Sequence, residues 1–351
     1  MDISSIVTST IFKLNIPGEY SEKYHYGRYG TPTVESLELS LADLDGAKYA
    51  VAYSSKISAS QAILSTLSAG DRVIFSDIVT CEKLKKLNKH IEMIYTDLSD
   101  LKNSKEIFVE NTKLVWIETP TIPLLRVLNI KKIENIVHAN SKALLVVDNT
   151  LSTSYYQRPL ENGADVAIYS LNEYFGGHND ATIGAVTTND VNIKQKLEYY
   201  RYAAGPVPSP FDCYMMSRSL KTLTVRMERH SKNAFHVAKF LETHSKVEQV
   251  YHPSLNCLDN VAHRSCGIVS FQIKGCYDQT IRFVEALDSI KIAETFGGTE
   301  SHVIVPWLVH SDLTEMQRIS VGIDNNLVMV SVGLENVMEL TEKLNQALGV
   351  L

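Results

Sequence analysis

The stretch Leu144-Leu145-Val146-Val147-Asp148-Asn149-Thr150 decides the fold, because an unbroken apolar run that ends on a carboxylate describes a strand buried on both faces. Such a strand belongs in the middle of a sheet covered on both sides. Outward from it, short apolar runs recur at residues 49–53, 72–75, 91–95, 113–117, 165–169 and 182–187. Helical spacing fills the intervals at 34–44, 57–67 and 130–138, the first opened by Pro32, which suits an initial helical turn. The alternation implies an α/β chain with a mostly parallel sheet. Chemistry in such a sheet sits at the carboxyl ends of strands, which makes Asp148 a candidate site residue.

Beyond this region, residues 208–244 carry a long amphipathic pattern, one bent helix or two consecutive ones. A smaller C-terminal α/β domain follows, with strands expected at 247–251, 268–273 and 328–332 and helices near 278–287 and 334–348. The expected division is an arm over 1–30, a large domain over 31–230 and a small domain over 231–351. With 351 residues, 44% hydrophobic and 21% charged, the chain can bury a substantial core. Its net charge of −6 comes without a basic tract, so neither nucleic acid nor a membrane surface is expected as a partner. The chain opens without a basic segment followed by an apolar one, and a cytoplasmic location is expected. The five cysteines (Cys81, Cys213, Cys257, Cys266, Cys276) lack metal-ligand spacing, and their odd number suits reduced thiols; no metal is expected.

Several segments carry a more specific signal: Lys113-Leu114-Val115-Trp116-Ile117-Glu118-Thr119-Pro120-Thr121, Val146-Val147-Asp148-Asn149-Thr150, Val207-Pro208-Ser209-Pro210-Phe211-Asp212 and Ser331-Val332-Gly333-Leu334-Glu335. Together they resemble the Cys/Met-metabolism family of pyridoxal-phosphate (PLP) enzymes, above all its animal-type cystathionine γ-lyases, over nearly the whole chain. The resemblance implies a fold-type-I PLP-transferase-like architecture and a dimer or tetramer of like chains, with assembly altered by a short amino-terminal arm. It assigns Tyr26 and Arg28 to the cofactor phosphate of a neighbouring subunit, Asp148 to the pyridine nitrogen, and Ser170 to the phosphate, with Asn172 in place of a phosphate-binding threonine.

Other positions depart from the pattern. In Ser170-Leu171-Asn172-Glu173-Tyr174, Glu173 stands where the resemblance places the cofactor lysine, and a carboxylate cannot form a Schiff base. Lys56 replaces a glycine of the phosphate turn, Val79 an aromatic ring stacked on the cofactor, Ile122 an asparagine beside it, and Met329 the arginine that grips a substrate carboxylate. These changes lead to the expectation that no cofactor is covalently bound, with at most weak non-covalent PLP. Lys56 and Glu173 are expected to pair across the cavity. Three functions stay open: a catalytically silent binding or regulatory protein, acting on an unknown small molecule or an active homologue; a PLP-independent enzyme using Glu173 and Asp148 as catalytic groups; or a residual carbon–sulfur lyase.

Overall fold

The computed structural model describes residues 5–14, 16, 23–98, 107–255 and 266–351. Seven strands make the larger sheet: β1 (Tyr49–Tyr53), β2 (Arg72–Phe75), β3 (Glu92–Tyr95), β4 (Thr112–Glu118), β5 (Leu144–Asp148), β6 (Val166–Ser170) and β7 (Gly184–Thr188). Their spatial order is β1-β7-β6-β5-β4-β2-β3, so the stretch that began the reading is the central strand. Pairing is parallel from β6 through β5, β4 and β2 to β3, whereas β7 runs antiparallel to both neighbours. The sheet is thus mixed. No crossover helix lies between β6 and β7, and a short connection of that kind joins antiparallel neighbours.

A second sheet holds β8 (Val247–Tyr251), β9 (Ile268–Ile273), β10 (Lys291–Ile292), β11 (His302–Ile304) and β12 (Leu327–Ser331), in the order β10-β11-β12-β9-β8. The strands β10 and β11 escaped the sequence reading because runs of two and three residues are too short to show alternation. The amphipathic stretch between the sheets resolves into two helices, Pro210–Leu220 and Leu223–Glu242. The second lays Ala234, Val237, Ala238 and Leu241 against Val247, Phe271 and Ile273 of the smaller sheet.

Local chemistry fixes the helix that precedes β1. Thr31 accepts a hydrogen bond from the Val34 amide at 3.3 Å, Pro32 opens the helix Pro32–Asp45, and Gly46 closes it at φ 66°, a left-handed conformation that glycine adopts without steric cost. The last residue, Asp45, is buried and accepts from the Tyr169 hydroxyl at 2.5 Å and from Thr187. Among the described residues no helix is long and apolar enough to cross a membrane. No group of three or more potential metal ligands occurs among them either. Cys81, Cys213 and Cys266 are buried thiols and Cys276 an exposed one, while Cys257 and much of the arm lie outside the described residues.

A buried ion pair ties the first helix to the sheet. Arg201, 2% exposed, pairs with Glu38 and donates to the Ala52 carbonyl at 3.0 Å. Removing one member leaves the other charge buried without a counter-ion. Arg201→Met is therefore expected to cost about 3–5 kcal/mol in urea unfolding, with Glu38→Gln in the same background restoring part of the loss.

Candidate functional site

The candidate site forms where the carboxyl ends of β4, β5 and β6 meet the first turns of two helices. Glu118 ends β4 and lies in register with Asp148, which ends β5. Ser170 ends β6. Thr150 bridges the last two: its hydroxyl donates to Asp148 Oδ1 at 2.6 Å and accepts the Ser170 amide at 2.9 Å, while its own amide donates to Asp148 Oδ1 at 3.1 Å. Opposite them, Ser55 caps the helix Lys56–Leu64, accepting the Ser58 amide at 3.2 Å. Gly184 lets that turn approach the sheet, because a Cβ there would stand 2.3 Å from the Ser55 carbonyl and 2.5 Å from the Lys56 amide.

From this position the Lys56 ammonium reaches Asp148 Oδ2 and forms an ion pair with it. The Lys56–Glu173 pairing expected from the sequence is therefore corrected. Glu173 lies on the π-turn Asn172–Gly176, one strand further along the sheet, and its charge acts on Lys56 less strongly than those of Asp148 and Glu118. Burial works against the ammonium, but the surrounding carboxylates outweigh it and hold Lys56 above the ordinary lysine range, so it stays protonated.

A cavity of about 230 Å³ opens beside this pair. Lys56, Val79, Ile122 and Met329, four of the positions singled out in the sequence, line it together. Phe296, Ile304 and Val309 complete the apolar walls. The other assignments fall elsewhere. Asp148 and Glu173 do not line the cavity: Asp148 is sealed behind Lys56, and Glu173 Oε2 is buried with no hydrogen-bond partner among the described residues. Asn172 spends its side-chain oxygen on the Ile183 amide at 2.8 Å. Tyr26 and Arg28 sit outside their own chain's cavity, where the guanidinium lies 5.0 Å from the Tyr26 ring centroid, 4.9 Å from that of Tyr202, and donates to the Tyr202 carbonyl at 3.1 Å.

Two carboxyl groups are pushed upward. Burial raises Glu173, against the Ser170 hydroxyl and the charge of Lys56, which lower it. Glu118 rises well above its ordinary 4.5 through burial first, then through Asp77 and Asp148, with Lys56 opposing. Unlike Glu173, Glu118 faces the cavity. Asp77, Thr80, Lys83, Glu294 and His310 also line it and escaped the sequence reading. Asp77 carried a readable signal, since an aspartate before a helical stretch is a cap: its two oxygens accept the Val79 amide at 3.1 Å and the Thr80 amide at 2.8 Å.

Two measurements check these electrostatics. Lys56→Met is expected to destabilise the fold by about 3 kcal/mol, with Asp148→Asn in that background recovering more than Glu173→Gln does. Equal recovery by the two would show that the charge is shared. For Glu118 the folded-state value is raised, so its contribution to stability is complete below the unfolded carboxylate value near 4.5 and is lost as pH rises through the folded value. Glu118→Gln should therefore gain stability relative to the parent as pH rises above the unfolded carboxylate value near 4.5 in urea titrations, and a constant difference would contradict the shift.

Comparison with known proteins gives the ancestry of this site. The chain is 39% identical over 99% of its length to a cystathionine gamma-lyase of Dictyostelium discoideum, covering 92% of that protein, and 39% identical over 99% to that of Homo sapiens, covering 88%. The crystal structure of cystathionine gamma-lyase from yeast superposes with a TM-score of 0.91 at 34% identity, over 99% of this chain and 93% of that one. The family profile described as Cys/Met metabolism PLP-dependent enzyme matches residues 2–349. This match overturns the expectation of a chain with no covalent cofactor and only weak PLP binding, because PLP is the cofactor of the family it matches throughout. Glu173 offers no amine, and the amines that line the cavity belong to Lys56 and Lys83. The fold is that of the fold-type-I PLP-dependent enzymes, and by sequence and by architecture the chain belongs to the Cys/Met-metabolism family of PLP-dependent enzymes, on its cystathionine gamma-lyase-like side.

Proposed function

We propose that this chain is a cystathionine γ-lyase-like protein whose pocket has been rebuilt away from cystathionine cleavage and that it acts as a small-molecule-binding or regulatory protein. The observation that carries this reading is the Lys56–Asp148 ion pair at the edge of a cavity whose walls are largely apolar. A lyase acting on an amino acid needs a cation to clamp the α-carboxylate, and the wall at Met329 presents a thioether instead. Glu173 takes the place at which the resemblance puts the reactive amine. In this reading the protein is cytoplasmic and associates with itself. An active homologue is the second candidate partner, in keeping with the exposed placement of Tyr26 and Arg28.

The test is a thiol-release assay on the purified full-length chain with cystathionine and excess PLP. No cysteine release above the protein-free control is expected, and Glu173→Lys alone should not restore it, because Met329 and Val79 remain. Turnover by the unmodified chain would overturn the proposal in favour of a carbon–sulfur lyase. The raised carboxyl of Glu173 favours acid–base chemistry as a second reading, but its distance from the cavity lining counts against it.

A further inference from the structure

We infer that Lys56 gates the cofactor: its ammonium stands on Asp148, and it yields that carboxylate to the ring nitrogen of PLP by moving across to Glu118. The inference takes its cofactor from the family match and goes beyond the reading of the pocket as a binding site. The chain's own residues fit the group. Ser54, Ser55 and Ser58 gather their hydroxyls at the amino end of the helix Lys56–Leu64, with Ser58 3.4 Å from Ser54 and 3.0 Å from Ser55, donors suited to a phosphate. Val79 and Ile122 offer apolar surface to a flat ring. The ring nitrogen is the basic end of PLP, its phosphate and phenol being acidic, and a carboxylate is the partner it takes.

Asp148 is prepared for that role and blocked from it. Thr150 fixes Oδ1 with its hydroxyl and amide, which leaves Oδ2 as the oxygen for a cation. Lys56 stands on that oxygen. It also stands between Asp148 and the cavity, since Lys56 lines the space and Asp148 does not. The ammonium has a second station close by. Glu118 is in register with Asp148 on the neighbouring parallel strand, so the two side chains leave the same face of the sheet from strands about 4.8 Å apart. Glu118 faces the cavity, and after Asp148 it is the carboxylate whose charge acts most on Lys56, ahead of Glu173. A shift of one strand spacing therefore uncovers Asp148 while Lys56 keeps a counter-ion. Asp148 exchanges one cation for another, and no charge is left buried alone.

Pyridoxamine 5′-phosphate is the probe, since it carries the ring nitrogen and the phosphate without an aldehyde that would mark any exposed lysine. Titration calorimetry on the full-length chain should show it binding Lys56→Met at least about tenfold more tightly than the parent, the worth of one charge-assisted hydrogen bond no longer contested. The probe should also raise the unfolding temperature of Lys56→Met by more than that of the parent. Glu118→Gln, which removes the second station, should weaken the probe in the parent and leave it unchanged in the Lys56→Met background. Equal affinity in the parent and Lys56→Met would overturn the inference, as would weaker binding in Lys56→Met, which would make Lys56 a residue that holds the cofactor. Should Lys56→Met fail to fold, Glu118→Gln alone remains decisive, because unchanged affinity there denies Lys56 its second station. None of these measurements involves cystathionine, so turnover in the thiol assay would remove the functional reading and leave the gate standing.

Discussion

A carboxylate buried at the carboxyl end of the central strand has to be neutralised, and much of the site follows from how this chain does it. Asp148 is 1% exposed. One of its oxygens is satisfied by the Thr150 hydroxyl and amide, and the other faces the Lys56 ammonium. Isolated burial of that charge would cost several kcal/mol, so the lysine is a structural requirement in this arrangement as much as a functional feature. It also dictates the surrounding backbone. The helix Lys56–Leu64 must begin close to the sheet for its first side chain to reach Asp148, and Gly184 permits the approach.

Neutralising Asp148 leaves the other carboxyl groups short of a partner. One lysine serves a neighbourhood that holds Asp148, Glu118 and Glu173, and it gives most of its field to the group it touches. Glu118 and Glu173 consequently share one tendency, toward the protonated form, from one cause, which is burial uncompensated by a nearby cation. Their situations still differ. Glu173 is folded into the π-turn, with Gly297 so close that a Cβ there would stand 2.8 Å from the Glu173 carbonyl carbon. Glu118 looks into open space. Of these two acids, only Glu118 lines the cavity.

The legible and illegible parts of this protein divide along the same physical line. Strands β2 and β4 to β7 announced themselves because burial on both faces writes an unbroken apolar run, whereas β3 lies at the edge and is only partly buried, and Asp148 stood out as the charge that ends such a run. Val79, Ile122, Lys56 and Met329 stand out in the sequence only through the resemblance, which implies other residues at those positions, and the structure gathers them around one cavity. Glu118 departs from nothing, being part of a segment that reads like the family, and so gave no signal. Its raised carboxyl arises from burial, from Asp77 across the cavity and from the register that sets β4 beside β5, relations that no local spacing encodes. The partner of Lys56 was misjudged for a similar reason. The sequence reading weighed Glu173 alone, and only the folded chain brings Asp148, from the end of the central strand, to the ammonium.

Family membership and the altered pocket proposed above are compatible because they are held by different residues. The architecture rests on strand register, on the Arg201–Glu38 and Asp45 anchors and on the helix that seats the smaller sheet, and neither those anchors nor that helix lines the cavity. Glu118 and Ile304 sit at strand ends and Lys56, Val79 and Thr80 in first helical turns, where a side chain can change without disturbing the ladder behind it, whereas Met329 lies in the middle of β12. The exception is the charge on Asp148. It stays buried whichever group enters the cavity, so any ligand that draws Lys56 away must bring a cation of its own or leave the strand end destabilised. That constraint couples occupancy of the pocket to the stability of the central sheet.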